Sequence, residues 1–214
     1  MTATSSAGYR NRRERAADAC VHVVGVLAGS AGAVVVLLAA WSTGSGRALA
    51  SASAYAIGLL AMLGCSAAYN LSPPSPRRDW LRRLDHAAIF VMIAGTYTPF
   101  TTLAPGGSAI GWTAGVWAAA LAGVYGKLAL PYRFHRGAVV LYLALGWVFV
   151  AGFQPLTQAL DPLTFDLLLV GGLLYSIGVV FHLWEALPFH KAVWHGLVLA
   201  AAVCHYVAVL RVTT

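Results

Sequence analysis

An all-α membrane protein, folded as a bundle of seven spanning helices, is the class this sequence predicts, and three observations predict it. Of its 214 residues, 59% are hydrophobic and only 10% are charged. The mean hydropathy of +0.73 lies well above that of soluble domains. The apolar residues fall in continuous runs near the length of about 20 that a helix needs to cross a bilayer. They lack the alternation of barrel strands, so a strand-built pore is not expected.

The first run, 19–41, follows a polar tail bearing Arg10, Arg12, Arg13 and Arg15. It is too long for a signal-peptide core, so it is expected to remain as a helix. The second run is 49–69. The third, 85–103, contains Pro99, which predicts a kink or break there, with Thr96 and Thr98 able to satisfy the freed backbone groups. The fourth, 110–130, carries Gly123 and Gly126, and the fifth is 137–154. The sixth, 163–184, follows Asp161-Pro162, an acid at the capping position and a proline in the first turn. Its Gly171-Gly172 pair, like Gly123 and Gly126, suits close helix contact. The seventh is 191–210. Connections such as 71–84 are too short to fold alone, so the expectation is a basic tail over 1–18 and one membrane domain over 19–214.

Arginine and lysine set the orientation. Four arginines precede the first run, Arg77, Arg78, Arg82 and Arg83 lie between the second and third, and Lys127, Arg133 and Arg136 between the fourth and fifth. The opposite loops hold only Arg47. By the positive-inside rule the amino terminus is cytoplasmic and the carboxyl terminus outside. Topology thus accounts for the net charge of +7, and the expected partners are anionic lipid headgroups, not nucleic acid. Cys20, Cys65 and Cys204 lack the spacing of a disulfide framework or thiolate metal site. Trp41, Trp80, Trp112 and Trp184 suit interfacial anchoring.

The polar residues converge at the cytoplasmic helix ends. Ser66 and Asn70 close the second run, Asp85 and His86 open the third, His182, Trp184 and Glu185 close the sixth, and His190, Lys191 and His195 open the seventh. Residues four apart share a helix face, so Ser66 pairs with Asn70 and Lys191 with His195. Ligands one turn apart on two helices, with an acid from a third, suit a metal or hydrolytic site. An acid such as Asp85 in hydrocarbon costs about 2.5 to 3.5 kcal/mol and needs a polar partner. His190 and His195 point about 140° apart on an ideal helix and make poor partners for one ion.

The runs Ser66-Ala67-Ala68-Tyr69-Asn70, Leu84-Asp85-His86-Ala87-Ala88-Ile89-Phe90, Gly95-Thr96-Tyr97-Thr98-Pro99-Phe100 and His190-Lys191-Ala192-Val193-Trp194-His195, with Cys204-His205-Tyr206 beyond, resemble the hemolysin III family. His22 stands where that family has a histidine. The family belongs with the progestin and adiponectin receptors and, more distantly, the alkaline ceramidases. The resemblance implies a bacterial inner-membrane protein of seven helices with a cytoplasmic amino terminus. It also implies a zinc ion held by one histidine of the second helix and two of the seventh, with a Ser and an Asp beside it for hydrolysis of a lipid amide.

Carried over by position, Ser66, Asp85 and His195 match that pattern, whereas Asn70 and Lys191 replace two histidine ligands. Neutral Asn is a weak zinc ligand and an ammonium cannot ligate, so no cofactor is expected at a site this altered. An Asp85–Lys191 ion pair, hydrogen-bonded to Asn70, Ser66 and His195, is expected in the metal's place. Breaking such a buried pair costs roughly 3 to 5 kcal/mol. The expected function is then a non-catalytic or shifted role in membrane homeostasis, lipid-, ion- or proton-linked. The alternatives are zinc-dependent hydrolysis through a relocated set drawn from His182, His190, His195, Asp85 and His86, and pore formation, for which no insertion-competent segment is visible.

Overall fold

The computed structural model describes residues 9–104, 107–130, 135–152 and 160–214. Arg133 and the Gln154 end of the fifth run lie outside them. Among the described residues seven helices follow in order: α1 Arg12–Ser42, α2 Gly46–Leu71, α3 Arg78–Thr101, α4 Ala109–Ala129, α5 His135–Gly152, α6 Pro162–Leu183 and α7 His190–Thr213. No strand occurs among the described residues. Five of the helices, α1, α2, α4, α6 and α7, are long and apolar enough to cross a membrane.

Sequential helices pack side by side, and α7 returns against α1 to close the ring. The third helix also touches α5 and α7, which places it inward. Its carboxyl-terminal half is almost wholly buried, from Ala94 through Thr101. This position explains its low apolarity, because a helix facing protein on most sides need not match lipid. Lipid-facing residues such as Leu27, Leu38 and Ile57 are exposed on the outer helices.

Helix α1 begins at Arg12 and not near Ala19, which draws residues 12–18 of the expected basic tail into regular structure. Asn11 caps it by accepting a hydrogen bond from the Glu14 backbone N–H at 2.9 Å, and the Glu14 carboxylate accepts one from Arg10 N–H at 3.1 Å. This is the reciprocal logic of a capping box. The buried residues of α1 are Glu14, Asp18, His22, Gly25, Gly29, Ala33, Val36 and Ala40. Their spacing of three or four makes one inward stripe, with polar residues at its start and small ones beyond. Asp161 caps α6 through Thr164 N–H, with Pro162 at its first position.

Small residues set the approach of the helices. A Cβ on Gly95 would lie 2.6 Å from the Ala54 carbonyl oxygen, and one on Gly58 would lie 3.0 Å from Met92 Cα, so α2 and α3 meet backbone to backbone. One on Gly123 would overlap the Phe90 ring, and one on Gly171 the His205 ring. Without a hydrophobic drive between helices in lipid, such packing and interhelical hydrogen bonds hold a bundle together. Tyr97 donates to the Leu145 carbonyl at 2.8 Å, Trp117 Nε1 to Thr98 Oγ1 at 3.0 Å, and Trp147 Nε1 to Ser176 Oγ at 3.0 Å. Pro99 does not break α3, which ends at Thr101. Thr98 Oγ1 donates back to the Ala94 carbonyl at 2.7 Å. Trp41, Trp80 and Trp184 are exposed, whereas Trp112 packs against the core.

Candidate functional site

Two side chains on the α1 stripe, Asp18 and His22, stand one turn apart and face α7. Gly25, a turn further on, has the Leu199 side chain 3.5 Å from where its Cβ would be, so the two helices sit close at this level. His195 on α7 meets the pair. Its Nδ1 donates to Asp18 Oδ1 at 2.6 Å, and His22 Nε2 reaches to 3.5 Å from Asp18 Oδ2. The imidazole centroids are 4.4 Å apart. Asp18 has no exposed surface and the His22 side chain is 5% exposed. His22 Nε2 has no hydrogen-bond partner.

The segment just before α1 covers this cluster. Tyr9 donates its hydroxyl to Asp18 Oδ2 at 2.5 Å. Burial first, and this hydrogen bond next, push the Tyr9 phenol above its ordinary range. The Arg10 guanidinium donates to the Glu185 and Ala186 carbonyls at 3.0 and 2.9 Å, which ties the segment to the α6–α7 turn. That turn ends at Phe189, whose φ of 59° is unusual for a bulky residue and starts α7 at His190.

The residues singled out from sequence spread around the same mouth. Asn70, 5% exposed, turns its amide back along α2, donating to the Ser66 carbonyl at 3.0 Å and reaching Ser66 Oγ at 3.4 Å. Asp85 lies beside Ser66 and within electrostatic range of His22. Lys191 sets its Nζ over the Tyr9 ring, 4.6 Å from the centroid, with Asp18, Glu14, Glu185 and Arg78 as its charged neighbours. Four of the seven acids of the chain, Glu14, Asp18, Asp85 and Glu185, thus bear on one small region.

Among the described residues, one group of three metal-competent side chains converges: Asp18, His22 and His195, whose ligand atoms all lie within 4.8 Å of one another. His182, His190, His86 and Asp85, weighed from sequence as a relocated set, are not in it, and His195 is the one residue the two sets share. His182 stacks near Trp194, 5.1 Å between centroids. His190 Nδ1 is buried without a hydrogen-bond partner. His205, deeper in α7, lies 3.2 Å by Nε2 from the Leu168 carbonyl. The sequence reading missed Asp18, Tyr9 and Glu14 by assigning 1–18 to a tail. Two signals were present: Asn11 three residues before Glu14, as in a helix start, and Asp18 four residues before His22.

Comparison with known proteins follows the same lines. The family described as haemolysin-III related matches residues 11–206. A hemolysin-3 homolog of Bacillus subtilis (strain 168) is 34% identical over 200 residues, covering 92% of this chain and 93% of that protein. Hemolysin-3 of Bacillus cereus is 33% identical over 201 residues, covering 92% and 91%. The human monocyte to macrophage differentiation factor is 28% identical over 170 residues, covering 73% and 68%.

Proposed function

The chain belongs to the haemolysin III family of integral, multi-pass membrane proteins, and from that premise we propose that its inherited zinc position is degenerate and that it serves membrane homeostasis without hydrolysing lipid. All seven helices cross the inner membrane in this reading, with the amino terminus cytoplasmic and lipids as partners. The distribution of Arg and Lys supports the orientation. Helices α3 and α5 cross as inner or shorter members of the ring.

One observation carries the reading: the groups at two of the three ligand positions are engaged in ways that leave zinc no donor set. The Asn70 amide is bonded to its own helix at Ser66, and the Lys191 ammonium lies over Tyr9 beside three carboxylates. A cation fixed on the protein takes the place of one taken from solution. Zinc would supply a polarised water or carbonyl for hydrolysis, but Asn70, Lys191 and His195 together do not fit it, and no step is routed through it. Lys191 is better placed to balance Asp18, Glu14 and Glu185 than to pair with Asp85 alone.

A second reading, hydrolysis through an altered ligand set, is favoured by the nearness of Asp85 to both Ser66 and His22. A single experiment separates the two. Purified protein and an Asn70→His/Lys191→His variant are assayed for release of fatty acid from a long-chain N-acyl lipid, with and without chelator. The expected result is background turnover in the parent. Chelator-sensitive turnover in the parent would overturn the reading.

A further inference from the structure

We infer that Asp18, His22 and His195 form a binding site for a divalent transition-metal ion, with zinc the best fit, that pins α1 to α7 at a place distinct from the inherited ligand set. The inference goes beyond the proposed function, which concerns the Asn70–Lys191 position.

Three features support it. The donor set is right: one carboxylate and two imidazoles are ligands suited to zinc and its neighbours in the first transition row. The placement is right, because Asp18 and His22 one turn apart present donors on one helix face, and His195 closes from α7, bringing all three donors within 4.8 Å. Finally, one donor is idle. His22 Nε2 is buried beside Asp18 yet makes no hydrogen bond, and a buried polar atom left this way is costly. A metal lone-pair bond relieves that cost. Tyr9 and the Arg10 strap close the cytoplasmic side, as suits a structural site.

Negative charge sits at the donors themselves, since Asp18 is one of them and Asp85 acts on His22, while Glu14 and Glu185 are balanced around them by Lys191, Arg78, Arg15 and Arg10. Lys191 directs its ammonium toward the face of the Tyr9 ring. His195 serves both the inherited pattern and the new site, but its companions differ: both come from α1, where the family pattern draws on the second and seventh helices.

The test uses the full chain in detergent, stripped with chelator and then equilibrated with zinc or cobalt. Expected are about one zinc per chain after gel filtration, a visible cobalt spectrum of low coordination number, and a metal-dependent rise in melting temperature. Asp18→Asn and His22→Gln should each weaken binding tenfold or more, while exposed His182→Gln leaves it unchanged. Folding of each variant is read from its elution profile and its metal-free melt. Zinc absent from the parent, or zinc retained at full affinity by both variants, would overturn this inference alone. Zinc lost with Asn70→Ala but kept by Asp18→Asn would put the ion at the inherited position and overturn the proposed function as well.

Discussion

Replacing Asp18 is the sharpest probe of how the amino-terminal helix is held. Its carboxylate accepts from Tyr9 at 2.5 Å and from His195 at 2.6 Å with no surface exposed. A hydrogen bond to a charged group contributes about 1.5 to 3 kcal/mol. Deleting the acceptor strands both donors, so Asp18→Ala should cost about 3 to 5 kcal/mol. Asp18→Asn keeps the shape and one acceptor, and should lose roughly half of that. The measurement is unfolding in mixed micelles titrated with denaturing detergent, in chelator so that no metal contributes. A double-mutant cycle of Asp18→Asn with His195→Gln should return a coupling of about 1 to 3 kcal/mol. An Asp18→Ala protein within about 0.5 kcal/mol of the parent, or additivity in the cycle, would refute the buried network.

Two further predictions concern packing and pH. Gly171→Ala should destabilise by about 1 to 3 kcal/mol in the same unfolding assay through overlap with the His205 ring. Gly111→Ala, where a Cβ meets nothing within 4 Å, should be neutral or slightly stabilising by removing backbone freedom. Asp161, whose carboxyl is held below the usual range first by the Thr164 hydroxyl and also by Arg211, should stabilise the fold only when ionised. The sign follows from linkage: its contribution is present above the ordinary Asp pKa of about 3.9 and fades as pH falls through the lower folded value. The melting-temperature gap between the parent and Asp161→Asn should therefore shrink in acid, and a gap constant down to about pH 2 would contradict it.

Most of the bundle was legible because the bilayer imposes a simple rule on sequence. Apolar runs located the seven helices seen among the described residues, with ends within a few residues of those observed for five of them. The exceptions were α3, whose first turns from Arg78 carry Asp79, Arg82 and Arg83, and α1, where Arg12 to Asp18 hold five charged residues and a hydropathy threshold stops at Ala19. Capping extends the helix: Asn11 and Glu14 satisfy its first N–H groups whatever the apolarity of the turn. Pro99 read as a kink or break because the rule for an interior proline assumes helix beyond it, and here only Phe100 and Thr101 follow.

By itself, the sequence determined the all-helical membrane class, the family and the pairs of polar residues sharing a face, since each depends on composition or on spacing along one helix. The tertiary structure alone decided which faces meet. That α7 closes on α1 puts His195 against Asp18 and His22, separated by 177 and 173 positions in the chain. No local periodicity encodes so distant a contact. It follows from the ring closure, from small residues such as Gly25 and Gly32 on α1 that face Leu199 and Tyr206 of α7, and from the need of a buried carboxylate for donors.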